Sequence, residues 1–289
     1  MTSGEPGASG GSPPSGLGRP DRRLLLLAAT MALASACSRD GDGDGGSGDG
    51  DGNAAAPAAG LPATRTRTRP PVGKSPASPS PSAAHALPRL PAEVAHGPRE
   101  RMMVALTFHG SGSPELAEAA LRAIEKAGGH ATVLAVGTWL DQYPAMARRV
   151  LAGGHDLGNH TQHHLDISSL DEASARREIE ECAARLRALT GSIGSWFRPS
   201  AARTATPLVR RLSARAGYPT CLSYDVDSLD HTDPGPGAVV DNVLRAVRSG
   251  SVVSMHLGHQ GTVTALPRVL DGLRARGLRA VTTTELLRA

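Results

Sequence analysis

A dense run of histidines lies in the middle of the chain, in the segment GHDLGNHTQHH at residues 154–164. His160 and His164 stand four residues apart, a spacing that puts two imidazoles on one face if a helix begins there. Neutral imidazole nitrogens are ligands that zinc and similar divalent ions accept. The pair therefore predicts a metal site, whereas His155 and His163 are expected to make polar or capping contacts.

Other segments with chemically useful side chains surround this run in a fixed order. LTFHG at 106–110 precedes it, and WFRP at 196–199, YDVDSLD at 224–230 and SVVSMH at 251–256 follow it. Together with TALP at 264–267 and 282–286, these motifs resemble the NodB-homology polysaccharide deacetylases of carbohydrate esterase family four. The resemblance covers essentially all of residues 101–289.

The resemblance implies roles for individual residues. His160 and His164 match the family's two metal histidines, and His256 matches the general acid that protonates the departing amine. Asp227 matches the carboxylate that holds this imidazole, and Arg198 matches the arginine that orients the catalytic base. In the implied reaction a divalent metal, expected to be zinc, polarises the acetamide carbonyl and lowers the pKa of its bound water.

Several positions depart from the family pattern. The family's first motif reads Thr-Phe-Asp-Asp-Gly, but here His109 stands at the position of the base and Gly110 at that of the metal carboxylate. Ala201 replaces a tyrosine, although the backbone N–H near it is still expected to help hold the oxyanion. His231 replaces the tryptophan that follows the aspartate motif.

Three outcomes are compatible with His109. It joins His160 and His164 as a third metal ligand, or it acts as the base with an unperturbed pKa near ~6.5, or the site is inactive. One nitrogen cannot both bind the metal and accept the proton. Catalysis is favoured over inactivity because a histidine can supply either function that the missing carboxylate leaves open.

Secondary candidates have simpler interpretations. Asp225 and Asp230 could supply a substitute metal carboxylate, but solvated loop positions are the preferred interpretation. His259 is expected on an exposed loop, and Trp139 and Trp196 are expected to pack in the core rather than stack a sugar.

The chain divides into three predicted regions. Residues 1–37 have the form of an export signal with a lipobox that ends at Cys37, and residues 38–100 have the Asp/Gly- and Pro/Ser-rich composition of a disordered tether. Residues 101–289 are predicted to form one folded domain. The protein is therefore expected to be exported, either secreted or held at the cell membrane facing the wall, with membrane contact only through a lipid on Cys37.

Strand and helix patterns alternate in the folded region, which predicts βα units and a parallel sheet. The predicted strands are 102–108, 130–136, 193–197, 220–226 and 251–256, and the predicted helices are 114–127, 144–152, 171–189, 207–216, 238–247 and 264–276. The fold class is α/β, and the family resemblance implies a distorted, incompletely closed (β/α) barrel.

Composition excludes other classes of function. A net charge of +4 over 289 residues is too dilute for a surface that binds nucleic acid, and two Trp, three Tyr and two Phe are too few for a stacking platform. Cys182 and Cys221 are free to pair or to remain thiols.

These features predict an exported, metal-dependent carbohydrate deacetylase that hydrolyses N-acetyl or O-acetyl groups of an envelope polysaccharide. The alternative is a catalytically inactive pseudo-deacetylase that binds glycan, and a third hypothesis is hydrolysis of a small non-sugar amide.

Overall fold

The computed structural model describes residues 89–288. The predicted export signal, Cys37 and the tether up to residue 88 lie outside the described residues. Among the helices that are described, none is both long enough and apolar enough to cross a membrane.

Eight strands and eight helices alternate along the described part of the chain. The strands are β1 (Glu93–Val94), β2 (Met103–Gly110), β3 (Thr132–Ala135), β4 (Asp156–Asn159), β5 (Cys221–Leu222), β6 (Val226–Asp227), β7 (Val252–His256) and β8 (Arg279–Val281). The helices are α1 (Pro114–Lys126), α2 (Gly137–Gln142), α3 (Ala145–Ala152), α4 (Glu172–Thr190), α5 (Pro207–Arg215), α6 (Pro236–Ala246), α7 (Gln260–Ala275) and α8 (Thr283–Leu287). Short 3₁₀ turns occupy Ile167–Ser169 and Asp230–Thr232.

All strand ladders are parallel, and β2 lies at the centre of the larger group. The order is β4-β3-β2-β7-β6, and β8 pairs with the first half of β2. The β1–β5 pair is separate, and single bridges from Phe197 to Asn159 and to Cys221 connect it to β4. Because only single bridges connect the two groups of strands, no continuous ladder closes the barrel, which confirms the distorted, incompletely closed (β/α) barrel.

The central strand owes its position to its apolar sequence. Val104, Ala105, Leu106 and Phe108 of β2 are fully buried, because helices cover the outer face and the barrel interior is filled. Its flanking helix α1 starts at a Ser113 cap, whose hydroxyl accepts a hydrogen bond from the Leu116 N–H at 3.4 Å. The result is a rigid strand whose carboxyl end carries His109.

Several predicted boundaries differ from the structure. The fold extends N-terminally of residue 101, because β1 pairs with β5. The predicted strand at 193–197 contributes only the Phe197 bridges, and the predicted strand at 220–226 is broken between β5 and β6. Strand β4 and helix α2 carry no clear periodicity and were not predicted.

The two cysteines of the domain are not paired. Cys182 lies on α4 and Cys221 on β5, and both are buried free thiols. Burial raises the pKa of Cys182 to about 12, so this thiol stays protonated.

Candidate metal and catalytic site

The register between β2 and β7 brings two histidines together. His109 is paired with His256 across these parallel strands, and their ring centroids lie 4.2 Å apart. Both residues lie at the carboxyl ends of their strands, where parallel α/β folds place their functional groups.

A tight loop after β4 supplies the other two imidazoles. The Asn159 side chain accepts a hydrogen bond from the Thr161 N–H at 2.8 Å, and Thr161 and His164 adopt left-handed backbone conformations with φ of 68° and 58°. Residues 160–164 therefore do not form the helix on which the spacing argument was conditional. The loop nevertheless places the His164 ring next to the His160 ring, with centroids 4.8 Å apart. The spacing thus predicted that the two rings lie close together, but a loop rather than a helix brings them there.

His109, His160 and His164 converge into a cluster that could hold a metal. One potential ligand atom from each lies within 4.8 Å of the others. The Nδ1 atom of His160 donates to the Arg198 carbonyl at 3.0 Å, which leaves Nε2 buried and without a protein partner. Nδ1 of His109 is also buried and unpartnered, while its Nε2 hydrogen-bonds to the Ser254 hydroxyl at 3.4 Å.

The cluster favours neutral imidazoles. Burial, followed by repulsion from neighbouring imidazoles and from Arg198, holds the pKa of His109 well below its usual 6.5. Burial is also the main cause of the low pKa of His160 and of the smaller lowering at His164. Neutral imidazoles are the form that binds divalent metals, so these three side chains are prepared for coordination at neutral pH.

The carboxylate that holds His256 is Asp230, not the predicted Asp227. The Asp230 Oδ1 atom lies 2.7 Å from His256 Nδ1, and Oδ2 accepts hydrogen bonds from the His256 N–H at 2.8 Å and the Thr262 hydroxyl at 2.6 Å. Burial alone would raise the pKa of Asp230, but the contacts with His256 and Thr262 together outweigh it and lower that pKa.

Asp227 has a different environment. Its Oδ1 accepts a hydrogen bond from the Leu229 N–H at 3.0 Å, and it faces the cavity next to Tyr224. Asp225, which was considered with Asp230 as a substitute metal carboxylate, contacts Arg99 at 2.8 Å and the Val252 N–H at 2.8 Å. Asp225 and the fully engaged Asp230 are therefore structural or positioning groups rather than solvated loop residues.

Arg198 is a fully buried cation beside the histidine cluster. Its Nε donates to the Leu222 carbonyl at 3.0 Å, and Nη2 donates to the Thr107 hydroxyl and the Ser223 carbonyl at 2.9 and 3.1 Å. Burial lowers the pKa of Arg198 to about 9, so the group is still charged at neutral pH. Its Nη1 atom has no partner and the side chain contacts no carboxylate, as expected where His109 replaces an acid.

The cluster opens into a cavity of about 550 Å³. The wall includes Ala201 in a left-handed conformation with φ of 52°, the exposed His231, and His259, whose Nδ1 lies 2.8 Å from Asp233. The lining residues are His109, Ser111, His164, Ala201, Ala202, Arg203, Tyr224, Asp227, Leu229, His231, Ser254, His256 and His259. The cavity wall thus contains His109 and His164 of the cluster together with the imidazoles of His231, His256 and His259.

The remaining histidines and tryptophans have structural roles. His155 contacts Glu125 at 3.1 Å and His163 contacts Glu178 at 2.7 Å, which confirms the predicted polar contacts. Trp139 and Trp196 are 4% and 2% exposed, which confirms core packing.

Gly110 occupies a position with little room for a side chain. A Cβ atom there would lie 3.0 Å from both the Ala135 Cα and the Val133 Cγ1, and 3.2 Å from the Trp139 ring. The space that a metal carboxylate would need is thus already filled by β3 and Trp139.

Gly110→Ala is expected to lower the free energy of unfolding by about 1–3 kcal/mol, because added core atoms force neighbouring groups to shift. Urea unfolding measures this change. The control is Gly261→Ala on α7, where nothing lies within 4 Å of the new Cβ. That change should be neutral or stabilising by up to ~1 kcal/mol, and an equal loss in both variants would contradict the crowding argument.

Comparison with known proteins agrees with this architecture. A family model for polysaccharide deacetylase matches residues 96–221. A peptidoglycan-N-acetylglucosamine deacetylase from Bacillus cereus is 30% identical over 203 residues, 66% of this chain and 91% of that protein. The chain belongs to the polysaccharide deacetylase family.

Solved structures of other polysaccharide deacetylases share the fold. A family 4 carbohydrate esterase from Streptomyces lividans in complex with acetate has a TM-score of 0.57 and 28% identity, covering 62% of this chain and 91% of its own. A CE4 family pseudoenzyme from Bacillus anthracis has a TM-score of 0.64 at 24% identity, covering 68% of this chain and 69% of its own, which indicates similarity of fold alone.

Thr262 and Ser254 were not identified from the sequence, and Asp230 was considered only as a substitute metal carboxylate or a solvated loop residue. Asp230 contacts the His256 imidazole and Ser254 contacts the His109 imidazole, while the Thr262 hydroxyl donates a hydrogen bond to Asp230. Asp230 carried a usable signal, because it begins a short polar turn directly after β6, beside the strand that ends in His256. No pattern in the sequence marks Thr262 or Ser254.

Proposed function

We propose that this chain is a metal-dependent deacetylase that removes N-acetyl, or alternatively O-acetyl, groups from an envelope polysaccharide. The observation that supports it most is the convergence of three imidazoles with His256, an imidazole held by a carboxylate, beside a 550 Å³ cavity. The similarity to a Bacillus cereus peptidoglycan-N-acetylglucosamine deacetylase supports an acetylated glycan as the substrate.

His109, His160 and His164 are the proposed metal ligands. Two buried ring nitrogens without protein partners, together with the exposed imidazole of His164, suit a three-histidine zinc site with an open position. When bound, such an ion supplies Lewis-acid polarisation of the acetyl carbonyl and activation of water. The low pKa of His109 supports its role as a ligand rather than the base.

His256 is the proposed proton carrier. Because Asp230 anchors Nδ1, the Nε2 atom is the one left to exchange a proton with the substrate. With His109 occupied as a ligand, we propose that His256 first accepts a proton from the attacking water and then donates it to the departing amine at the same atom. Amide hydrolysis then requires no second titratable side chain.

Charge and backbone groups complete the proposed chemistry. The Arg198 guanidinium places a fixed positive charge behind His109, which disfavours protonation of the cluster. The N–H near Ala201, on the cavity wall, is the proposed donor to the developing oxyanion. Export, and attachment through a lipid on Cys37, belong to the same proposal and are supported by the sequence of residues 1–37.

Chelation tests metal dependence directly. Stripping the full-length protein with a chelator is expected to abolish acetate release from N-acetylglucosamine oligomers, and about one equivalent of zinc should restore it. His160→Ala should fail to recover, whereas His163→Ala, which changes a neighbouring imidazole outside the cluster, should recover.

The same experiment separates the alternatives. Glycan binding without acetate release, in a protein that holds metal, would support the pseudo-deacetylase. Release from small amides but from no glycan would support the third hypothesis. Full activity after complete metal removal would refute the metal-dependent mechanism.

A further inference from the structure

The rim of the cavity contains two imidazoles that the proposed reaction does not use, those of His231 and His259, and both lie next to the His256 ring. His231 and His256 have ring centroids 5.1 Å apart, and His256 and His259 have centroids 5.8 Å apart. These separations fall within the 4.2–6.3 Å range of the His109, His160 and His164 rings. His231, His256 and His259 thus form a second group of imidazoles, the rim group, in which each outer ring lies as near to His256 as the rings of the proposed metal site lie to one another.

Two imidazoles of this rim group are held in the manner of metal ligands. Asp230 contacts the Nδ1 atom of His256 at 2.7 Å, and Asp233 contacts the Nδ1 atom of His259 at 2.8 Å. A carboxylate on one ring nitrogen fixes the ring and leaves the opposite nitrogen free, as in carboxylate–histidine–zinc arrangements. The free atom is Nε2 in both residues.

The third imidazole, His231, belongs to a constrained turn. It lies in the 3₁₀ segment Asp230–Thr232, between Leu229 and Asp233 with φ of 55° and 51°. One potential ligand atom of His231 lies within 4.8 Å of those of Asp230 and His256. Because His256 and Thr262 already engage Asp230, the imidazoles rather than this carboxylate offer open coordination positions.

We propose that His231, His256 and His259 form a second, weaker divalent-cation site whose occupation inhibits the enzyme. Coordination uses the Nε2 lone pair of His256, so the proton carried at that atom is displaced to solvent and cannot reach the amine. The inhibitory consequence rests on the proposed function, whereas cation binding itself does not. The site is weaker because His231 is exposed and His259 is partly exposed, so water competes for the ion more than at the first cluster, where His160 is buried.

Cobalt titration of the full-length protein tests the binding. Two classes of Co²⁺ absorption change are expected, and His231→Gln and His259→Gln should each weaken the second class by at least 10-fold while leaving the first. The matched control is His163→Gln, because His163 is also an exposed imidazole held by a carboxylate but lies outside both groups. Circular dichroism establishes that each variant is folded.

Excess zinc tests the inhibition. The ratio of acetate release at one equivalent to that at excess zinc should exceed 10 in the wild type and fall towards 1 in His231→Gln. A second binding class that persists in both rim variants would overturn the site. Loss of the second binding class without relief of zinc inhibition would overturn the inhibitory role. If no acetate is released under any condition, the proposed function is refuted, and the cobalt titration alone then shows whether the second cation site exists.

Discussion

Asp230→Asn is expected to reduce acetate release by about 100- to 10,000-fold, the range that general acid–base groups contribute. The carboxylate fixes which nitrogen of His256 is free and stabilises the imidazolium when His256 holds a proton. An amide in its place presents either its oxygen or its N–H group to Nδ1. The amide therefore no longer fixes the ring tautomer in which Nε2 is the nitrogen without a proton. Initial rates on N-acetylglucosamine oligomers measure the loss, with zinc content determined for each sample.

Asp227→Asn is the matched control for this change. Asp227 also lines the cavity, but its carboxylate contacts the Leu229 N–H and not His256. Its rate should fall by less than about 10-fold, since a loop contact rather than a proton-transfer partner is altered. A larger loss in Asp227→Asn than in Asp230→Asn would reverse our assignment and restore the role predicted from the sequence.

Asp230→Asn should also destabilise the fold at neutral pH by about 1–3 kcal/mol, because an amide offers one acceptor oxygen where the carboxylate offers two, so either the His256 ring or the donors on the His256 backbone and Thr262 lose their acceptor. The depressed pKa of Asp230 gives this effect a pH dependence. The stability is present above the ordinary value of 3.8 and is lost as pH falls through the lower pKa of the folded state. The difference between wild type and variant in urea unfolding should therefore shrink below pH 3.8.

His109→Ala is expected to weaken zinc binding by at least about 100-fold, because loss of a ligand should exceed the 10- to 100-fold effect of outer-sphere partners. His109→Asp should retain more affinity, since a carboxylate is also a zinc ligand. Competition with a chromophoric chelator measures both affinities. Unchanged zinc affinity in His109→Ala, with a rate reduced by about 100- to 10,000-fold, would instead assign His109 as the base.

The same two variants test the buried charge of Arg198. A carboxylate at position 109 would give the guanidinium a counter-ion. The free energy of unfolding of His109→Asp should therefore be about 1–3 kcal/mol higher than that of His109→Ala. Equal stability of the two variants would show that the Arg198 guanidinium does not interact with the side chain at position 109.

Stability of the metal-free protein should also depend on His109. Its pKa lies well below 6.5 in the folded state, so the unfolded chain takes up a proton that the folded chain does not. The free energy of unfolding therefore falls as pH drops below about 6.5. His109→Ala removes this contribution and should flatten the profile between about pH 7 and pH 5.

The sequence by itself was sufficient for the family and for most of the histidines that the candidate site brings together. Alternation of apolar strands and amphipathic helices predicts a parallel α/β fold, because periodicity reports which faces are buried. His160, His164 and His256 were identifiable because they stand at matching places in motifs that occur in the order typical of the family. The substitution at His109 and Gly110 was equally visible in the sequence.

Only the tertiary structure decided which groups touch. Asp227 and Asp230 lie three residues apart in one polar segment, and the turn after β6 places Asp230, not Asp227, against His256. The same holds for the β4 loop, where left-handed residues rather than a helix bring His164 back to His160. Contacts across strands depend on register and on the path of short loops, and neither leaves a periodic signal in the chain. For that reason the rim imidazoles and the crowding around Gly110 became visible only in three dimensions.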